Sequence, residues 1–217
     1  MTVSPAPLTA ARRPSVAAGV TAAVALAAVA ALGADVYDRP PGPFDARTET
    51  WALAHRTRTV LVAFEWITRI GEPAVVFMFA VLVAVWLWWT GARRGAAMLV
   101  AAPASAILVF NLIKQLVHRA RPAGGLLLRA ATYSFPSGHA AVSAAAFGTL
   151  GLVLAREGRL SRPIAGLLAV GCPLVIGLSR IYLGAHWATD VLAGWCLGAA
   201  IAAIAAGAYQ RVTNTPR

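Results

Sequence analysis

Six runs of apolar residues, each close to the ~20 that carry a helix across a bilayer, are separated along this chain by short polar clusters. They fall at about 15–36, 72–90, 96–118, 137–155, 163–182 and 186–208. The pattern predicts an all-α, polytopic membrane protein with six transmembrane helices, folded as a single domain over 1–217. Trp86, Trp88 and Trp89 close the second run as an interfacial belt. Pro103 predicts a kink in the third, and Pro122 predicts that its helix ends at Arg121. The first run ends in small residues, so a cleaved signal peptide competes with a retained span. Its length, and the five runs that follow, favour the span.

Residues 37–71 read differently. Pro40, Pro41 and Pro43 make a turn-rich start. Trp51, Leu53, Val60, Leu61, Phe64 and Ile67 then alternate with Arg47, Arg56, Arg58, Glu65 and Arg69. An amphipathic helix lying in the interface between spans one and two fits this pattern. A solvated connecting helix is the alternative.

Composition supports the membrane reading. The chain is 59% hydrophobic and 12% charged, with a mean hydropathy of +0.69. A soluble domain is about half apolar and about a quarter charged. The formal charge of +11 would suit nucleic acid, but the arginines cluster between apolar runs, where membrane topology accounts for them. No nucleic-acid partner is expected.

With six spans, Arg12–Arg13, Arg93–Arg94, Arg156/Arg159/Arg162 and Arg211/Arg217 share one side, which the positive-inside rule makes cytoplasmic. Arg39, Arg47, Arg56, Arg58 and Arg69 lie opposite, on longer loops of lower charge density. Cys172 and Cys196 fall inside apolar runs and read as small packing residues, not metal ligands.

Three polar stretches remain: "KQLVHRARP" (114–122), "PSGH" (136–139) and "SRIYLGAHWATD" (179–190). All lie at span ends on one membrane face, opposite the arginine clusters of the short turns. They deliver Lys114, Arg121, His139, Arg180, His186 and Asp190 to one surface. Lys114 and Arg121 are seven apart, which puts them on one face of a helix. An arginine or lysine mid-span costs about 2.5–3.5 kcal/mol. Snorkelling explains one such cation; three on one face suit an anion, and phosphate matches the arginine fork and the lysine point charge.

Ser137, Gly138 and His139 open a helix, where free N–H groups and the positive dipole end form a phosphate seat. A simple N-cap would explain Ser137 but not His139. His186 and Asp190 are i and i+4 on one helix face, so the carboxylate can hold one ring nitrogen and leave the other as base or nucleophile. Of the other histidines, His118 suits an interfacial or packing role and His55 the amphipathic segment.

The ordered set Lys114-x6-Arg121-Pro122, Pro136-Ser137-Gly138-His139 and Ser179-Arg180-x5-His186-x3-Asp190 resembles the three-part motif of the type 2 phosphatidic acid phosphatase family. Vanadium haloperoxidases and class A acid phosphatases are its soluble relatives. The resemblance implies a membrane lipid phosphatase in which His186 is the nucleophile, forming a phosphohistidine, and Asp190 orients it. His139 would protonate the leaving oxygen, while Lys114, Arg121, Arg180, Ser137 and Gly138 hold the phosphoryl oxygens. No metal or other cofactor is expected, because the cations and the helix N-terminus supply the positive charge.

The implied partner is a phosphorylated lipid entering from the bilayer, first of all undecaprenyl diphosphate. Phosphatidic acid and phosphatidylglycerol phosphate are the alternatives. The expected location is the cell membrane, with the site on the extracytoplasmic face. A lipid phosphotransferase using the same site stays open. A transporter would carry charges near mid-span, whereas here they gather at span ends.

Overall fold

The computed structural model describes residues 16–125 and 133–213, with side chains as far as residue 210. Arg12, Arg13, Arg217 and the side chain of Arg211, used above for topology, lie outside the described residues. Eight helices, and no strand among the described residues, make up the fold: α1 (Val16–Val36), α2 (Pro43–Ala54), α3 (Arg58–Ile70), α4 (Pro73–Trp89), α5 (Arg93–Val117), α6 (Gly138–Arg156), α7 (Arg162–Tyr182) and α8 (Ala188–Thr213). Proline in the first turn starts α2, α4 and α7, where its missing N–H would have been unpaired in any case.

Helices α1, α5, α6, α7 and α8 are each long and apolar enough to cross a membrane. Helices α3 and α4 meet at 53° and pass that test only together, giving five or six candidate spans. Alone, α4 has 17 residues, about 25 Å of helix against a hydrocarbon core of ~30 Å. The run expected at 72–90 is therefore one limb of a bent pair.

Residues 37–71 form two helices, not one. The break between them is stapled by Tyr182, whose hydroxyl donates to the His55 carbonyl at 2.6 Å and accepts from the Thr57 amide at 3.1 Å. Thr57 then caps α3 by accepting the Val60 amide at 3.4 Å. Only α3 carries a strong apolar face; α2 has none, yet buries Asp45 and Ala52.

Helix α5 runs through Pro103 and stops at Val117, short of the end expected at Arg121. His118 takes a left-handed conformation (φ 51°) and returns its amide to the Lys114 carbonyl at 3.2 Å. Its ring meets Tyr133 edge-on at 4.4 Å, a packing role. Arg121 thus leaves the helix that holds Lys114, and the two reach the site from different backbone segments.

Helix α6 is the centre of the bundle, packed by α4, α5, α7 and α8, while α1 lies along α8. Lipid tails give apolar helices no reason to exclude them, so association depends on close packing of small residues. A methyl group added at Gly198 would lie 2.5 Å from the Ala141 carbonyl oxygen, and one at Gly194 would lie 2.6 Å from that of Ser137. Helix α8 therefore rests on the backbone of α6, which sets the start of one beside the start of the other. Cys172 and Cys196 are free, half-buried thiols within α7 and α8.

Candidate active site

The helix ends on one face of the bundle converge. Lys114 is in the last turn of α5, His139 in the first turn of α6, Arg180 in the last turn of α7 and Asp190 in the first turn of α8. His186 lies in the α7–α8 turn, behind Gly184, whose φ of +69° is one that residues with a Cβ rarely adopt. The Ser137 amide donates to the Asp190 carbonyl at 2.9 Å, tying the two helix starts together.

His186 is buried between two groups. Its Nδ1 is 3.5 Å from Asp190 Oδ2, and its Nε2 is 3.2 Å from an Arg121 nitrogen. A guanidinium only donates, so Nε2 is the acceptor and Nδ1 carries the proton that faces Asp190. Burial pushes the His186 imidazole down to about 3, with Asp190 drawing it partly back up. Arg121 also donates to the Ala185 carbonyl at 2.6 Å. Burial lowers its guanidinium too, opposed by Asp190.

Asp190 is fully buried. Its Oδ2 accepts the Trp187 amide at 2.9 Å and the Ser134 hydroxyl. Lys114 donates to the Ser134 carbonyl at 3.3 Å and to the Tyr133 carbonyl, so it anchors the strand of chain entering "PSGH". Arg180 donates to Thr68 Oγ1 at 2.6 Å. Three buried polar atoms around this core lack a hydrogen-bond partner: Ser137 Oγ, His139 Nε2 and Arg180 Nε. His139 Nε2 does lie 3.1 Å from Glu72 Oε2, a charge contact without hydrogen-bond alignment. Gly138 packs where a Cβ would fall 2.9 Å from the Phe110 ring, so its lack of a side chain serves packing as well as backbone access.

All eight residues singled out from the sequence therefore lie at this end of the bundle. His55 does not join them; it stacks on Trp51 at 4.7 Å in the α2–α3 break. Six further residues belong here that sequence reasoning passed over: Asp45, Thr68, Glu72, Arg119, Ser134 and Thr189. Arg119 sits two residues before Arg121 and could have been flagged by the same anion argument. Ser134 lies two residues before the "PSGH" stretch. Asp45 is 144 positions from Thr189, which it bonds, and no local pattern reveals it.

A bundle of five or six helices able to cross a membrane, with two histidines, three motif cations and a carboxylate gathered at one end, defines a multi-pass membrane protein. The sequence pattern of the PAP2 superfamily matches residues 95–214, and the chain belongs to that superfamily. Phosphatidylglycerophosphatase B of Bacillus subtilis is 34% identical over 98 residues, 42% of this chain and 46% of that protein. Lipid A 1-phosphatase of Rhizobium etli is 31% identical over 114 residues, 48% of this chain and 46% of the relative. An undecaprenyl-diphosphatase of Sulfolobus acidocaldarius is 38% identical over 66 residues, 30% of this chain and 29% of the relative. The chain thus spans less than half the length of each. The crystal structure of the first transmembrane PAP2-type phosphatidylglycerolphosphate phosphatase from B. subtilis shares the fold, with a TM-score of 0.81 at 19% identity over 88% of this chain and 97% of that one.

Proposed function

We propose that this chain is a single-domain membrane phosphatase that removes a phosphoryl group from a lipid phosphate or diphosphate through a phosphohistidine on His186. The observation that carries this reading is the setting of His186: Nδ1 toward Asp190, Nε2 toward Arg121, with Ser137 Oγ and Arg180 Nε lacking hydrogen-bond partners and His139 Nε2 beside Glu72 in the same buried end. Nε2 attacks phosphorus while the phosphoryl oxygens lie against Arg121, Arg180, Ser137 and the amides at the start of α6. The P–O bond to the leaving group breaks, and the departing oxygen takes a proton from His139. Water then attacks the phosphohistidine as it gives a proton to the now neutral His139; the P–N bond breaks, inorganic phosphate forms and His186 returns to its neutral form. Lys114 supports this arrangement from below by fixing the chain at Tyr133 and Ser134.

A hydrophobic protein with its charges at span ends suits a substrate that stays in the bilayer and presents only its head group. Undecaprenyl diphosphate on the extracytoplasmic face of the cell membrane is our first substrate. Phosphatidylglycerol phosphate is the second, favoured by the shared fold with a phosphatase of that lipid.

The test is phosphate release by the purified full-length chain in detergent from undecaprenyl diphosphate, phosphatidylglycerol phosphate and phosphatidic acid. His186→Ala and His139→Ala are expected to lose activity by at least about 10²-fold, and vanadate is expected to inhibit. Full activity of His186→Ala would remove the covalent mechanism.

A further inference from the structure

Behind the motif residues lies a second ring of charge: Arg119 and Thr189 fill unspecified positions within two of the motifs, and Asp45 lies outside all three. Asp190 Oδ2 faces His186, but Oδ1 faces away and accepts Arg119 at 2.6 Å. Arg119 is buried, and its other arm donates to Asp45 Oδ2, also at 2.6 Å. The arm on Asp190 reaches the Thr189 hydroxyl as well, at 2.7 Å. Asp45, equally buried on α2, accepts the Thr189 amide at 2.9 Å and the Thr189 hydroxyl at 2.7 Å, capping the first turn of α8 from another helix. Trp187 lies against the guanidinium at 5.5 Å and anchors its own indole on the Ala120 carbonyl at 2.9 Å. Every charge in this buried ring is paired and hydrogen-bonded, the condition under which buried charge is tolerated.

The arithmetic of charge gives the ring a purpose. A lone guanidinium at 2.6 Å would largely neutralise Asp190, and a neutralised carboxylate is a poor partner for an imidazole that gains positive charge during attack. With Asp45 on the other arm, the trio Asp45, Arg119 and Asp190 keeps one net negative charge, directed at His186. The fork also fixes the rotation of Asp190, since Oδ1 cannot swing towards His186 without breaking the Arg119 bond.

We propose that Asp45 and Arg119 are positioning residues for phosphoryl transfer: Asp45 shares the charge of Arg119, and Arg119 holds Asp190 with its second oxygen and its negative charge available to His186. This rests on the assignment of His186 as nucleophile above.

The test uses the full-length chain in detergent with the best substrate of the panel. Asp45→Asn keeps shape and removes the charge; its kcat is expected to fall about tenfold, the rate equivalent of one charge-assisted hydrogen bond. KM is expected to stay within about twofold, as for an interaction made only in the transition state. The double variant Asp45→Asn/Asp190→Asn is expected to be no slower than Asp190→Asn alone, because Asp45 acts only through Asp190. Wild-type kcat in Asp45→Asn, a loss carried by KM, or losses that multiply in the double variant would each overturn the proposal. Should Asp45→Asn not fold, Arg119→Lys carries the same test. It keeps the charge but lacks the fork that spans two carboxylates, and wild-type kcat there overturns the proposal equally. An impaired Asp190→Asn beside a fully active Asp45→Asn leaves the phosphatase reading standing and removes only this inference. A fully active Asp190→Asn removes this inference together with the orienting role of Asp190, whereas a wild type that releases no phosphate from any substrate of the panel removes the phosphatase reading itself.

Discussion

Each histidine of the site has its own carboxylate, and the two pairs differ in how they are built. His186 and Asp190 are held by one turn and by burial. His139 meets Glu72 across a helix break, 3.1 Å away and with the carboxylate half exposed. On the proposed mechanism Glu72 holds the imidazole whose proton the leaving oxygen takes. Glu72→Gln is expected to slow an alkyl phosphate about tenfold, a part of the 10²–10⁴ that general acids contribute, while a 4-nitrophenyl phosphate, whose leaving group departs unprotonated, is nearly unaffected. Equal losses on both substrates would show that Glu72 serves folding alone. His186 makes a second prediction. Its folded value of about 3 lies below the ~6.5 of an unfolded histidine, so below ~6.5 only the unfolded chain takes up the proton. The stability that depends on neutral His186 is complete above ~6.5 and is lost as pH falls from there towards 3. Between pH 7 and 4.5 in detergent, the unfolding temperature of the wild type is expected to fall more steeply than that of His186→Gln; parallel slopes would contradict the burial effect.

Among the elements, α6 and α8 do most to build the site, because one supplies the phosphate seat and the other the carboxylate that orients His186. Their spacing is set by glycine. Gly198 meets the Ala141 carbonyl, which cannot rotate out of the way as a side chain would. Gly198→Val is expected to destabilise the protein by about 1–3 kcal/mol, the usual cost of overpacking, read as a lower unfolding temperature in detergent; an unchanged value would mean that α8 is free to move. This seam also explains what the sequence revealed and what it hid. The helices α5 to α8 were readable to within a few residues, because lipid demands long apolar runs and rejects polar interruptions. His186 and Asp190 were readable as a pair from their four-residue spacing, but not as one helix face: His186 sits in the turn before α8, and the turn brings its ring to Asp190. The α2–α3 break was not, since it depends on Tyr182, more than a hundred positions away. The early stop of α5 was hidden for another reason: His118 adopts a left-handed conformation that no composition rule assigns to histidine. Asp45 was hidden most deeply, because a buried acid on an otherwise unremarkable helix looks like any solvated one until its partners are in place.

The two ends of the molecule use their positive charge differently, and this bears on its orientation. At the site end Lys114, Arg119, Arg121 and Arg180 all turn inward to named partners, and Arg56 bonds the Gly124 and Tyr182 carbonyls at 3.0 and 3.3 Å. These charges serve the fold and the site, so they say little about which side faces the cytoplasm. At the opposite end Arg93, Arg94, Arg156, Arg159 and Arg162 crowd the short α4–α5 and α6–α7 turns. Short, arginine-dense turns are the signal that the positive-inside rule weighs. Arg159 also bonds Thr90, and Arg93 and Arg156 lie over Trp88 and Tyr209, so it is the shortness of these turns, against the longer site-end segment that carries Arg39, Arg47, Arg58 and Arg69, that predicts a cytoplasmic position for them and an outward-facing site. A pair of single-cysteine variants checks it, with Cys172 and Cys196 replaced by alanine. Arg47→Cys lies exposed on α2 at the site end, and Arg162→Cys lies exposed at the other. In intact cells a membrane-impermeant maleimide is expected to label position 47 and spare 162 until the membrane is opened. The reverse pattern would turn the site to the cytoplasm and exclude any substrate confined to the outer leaflet.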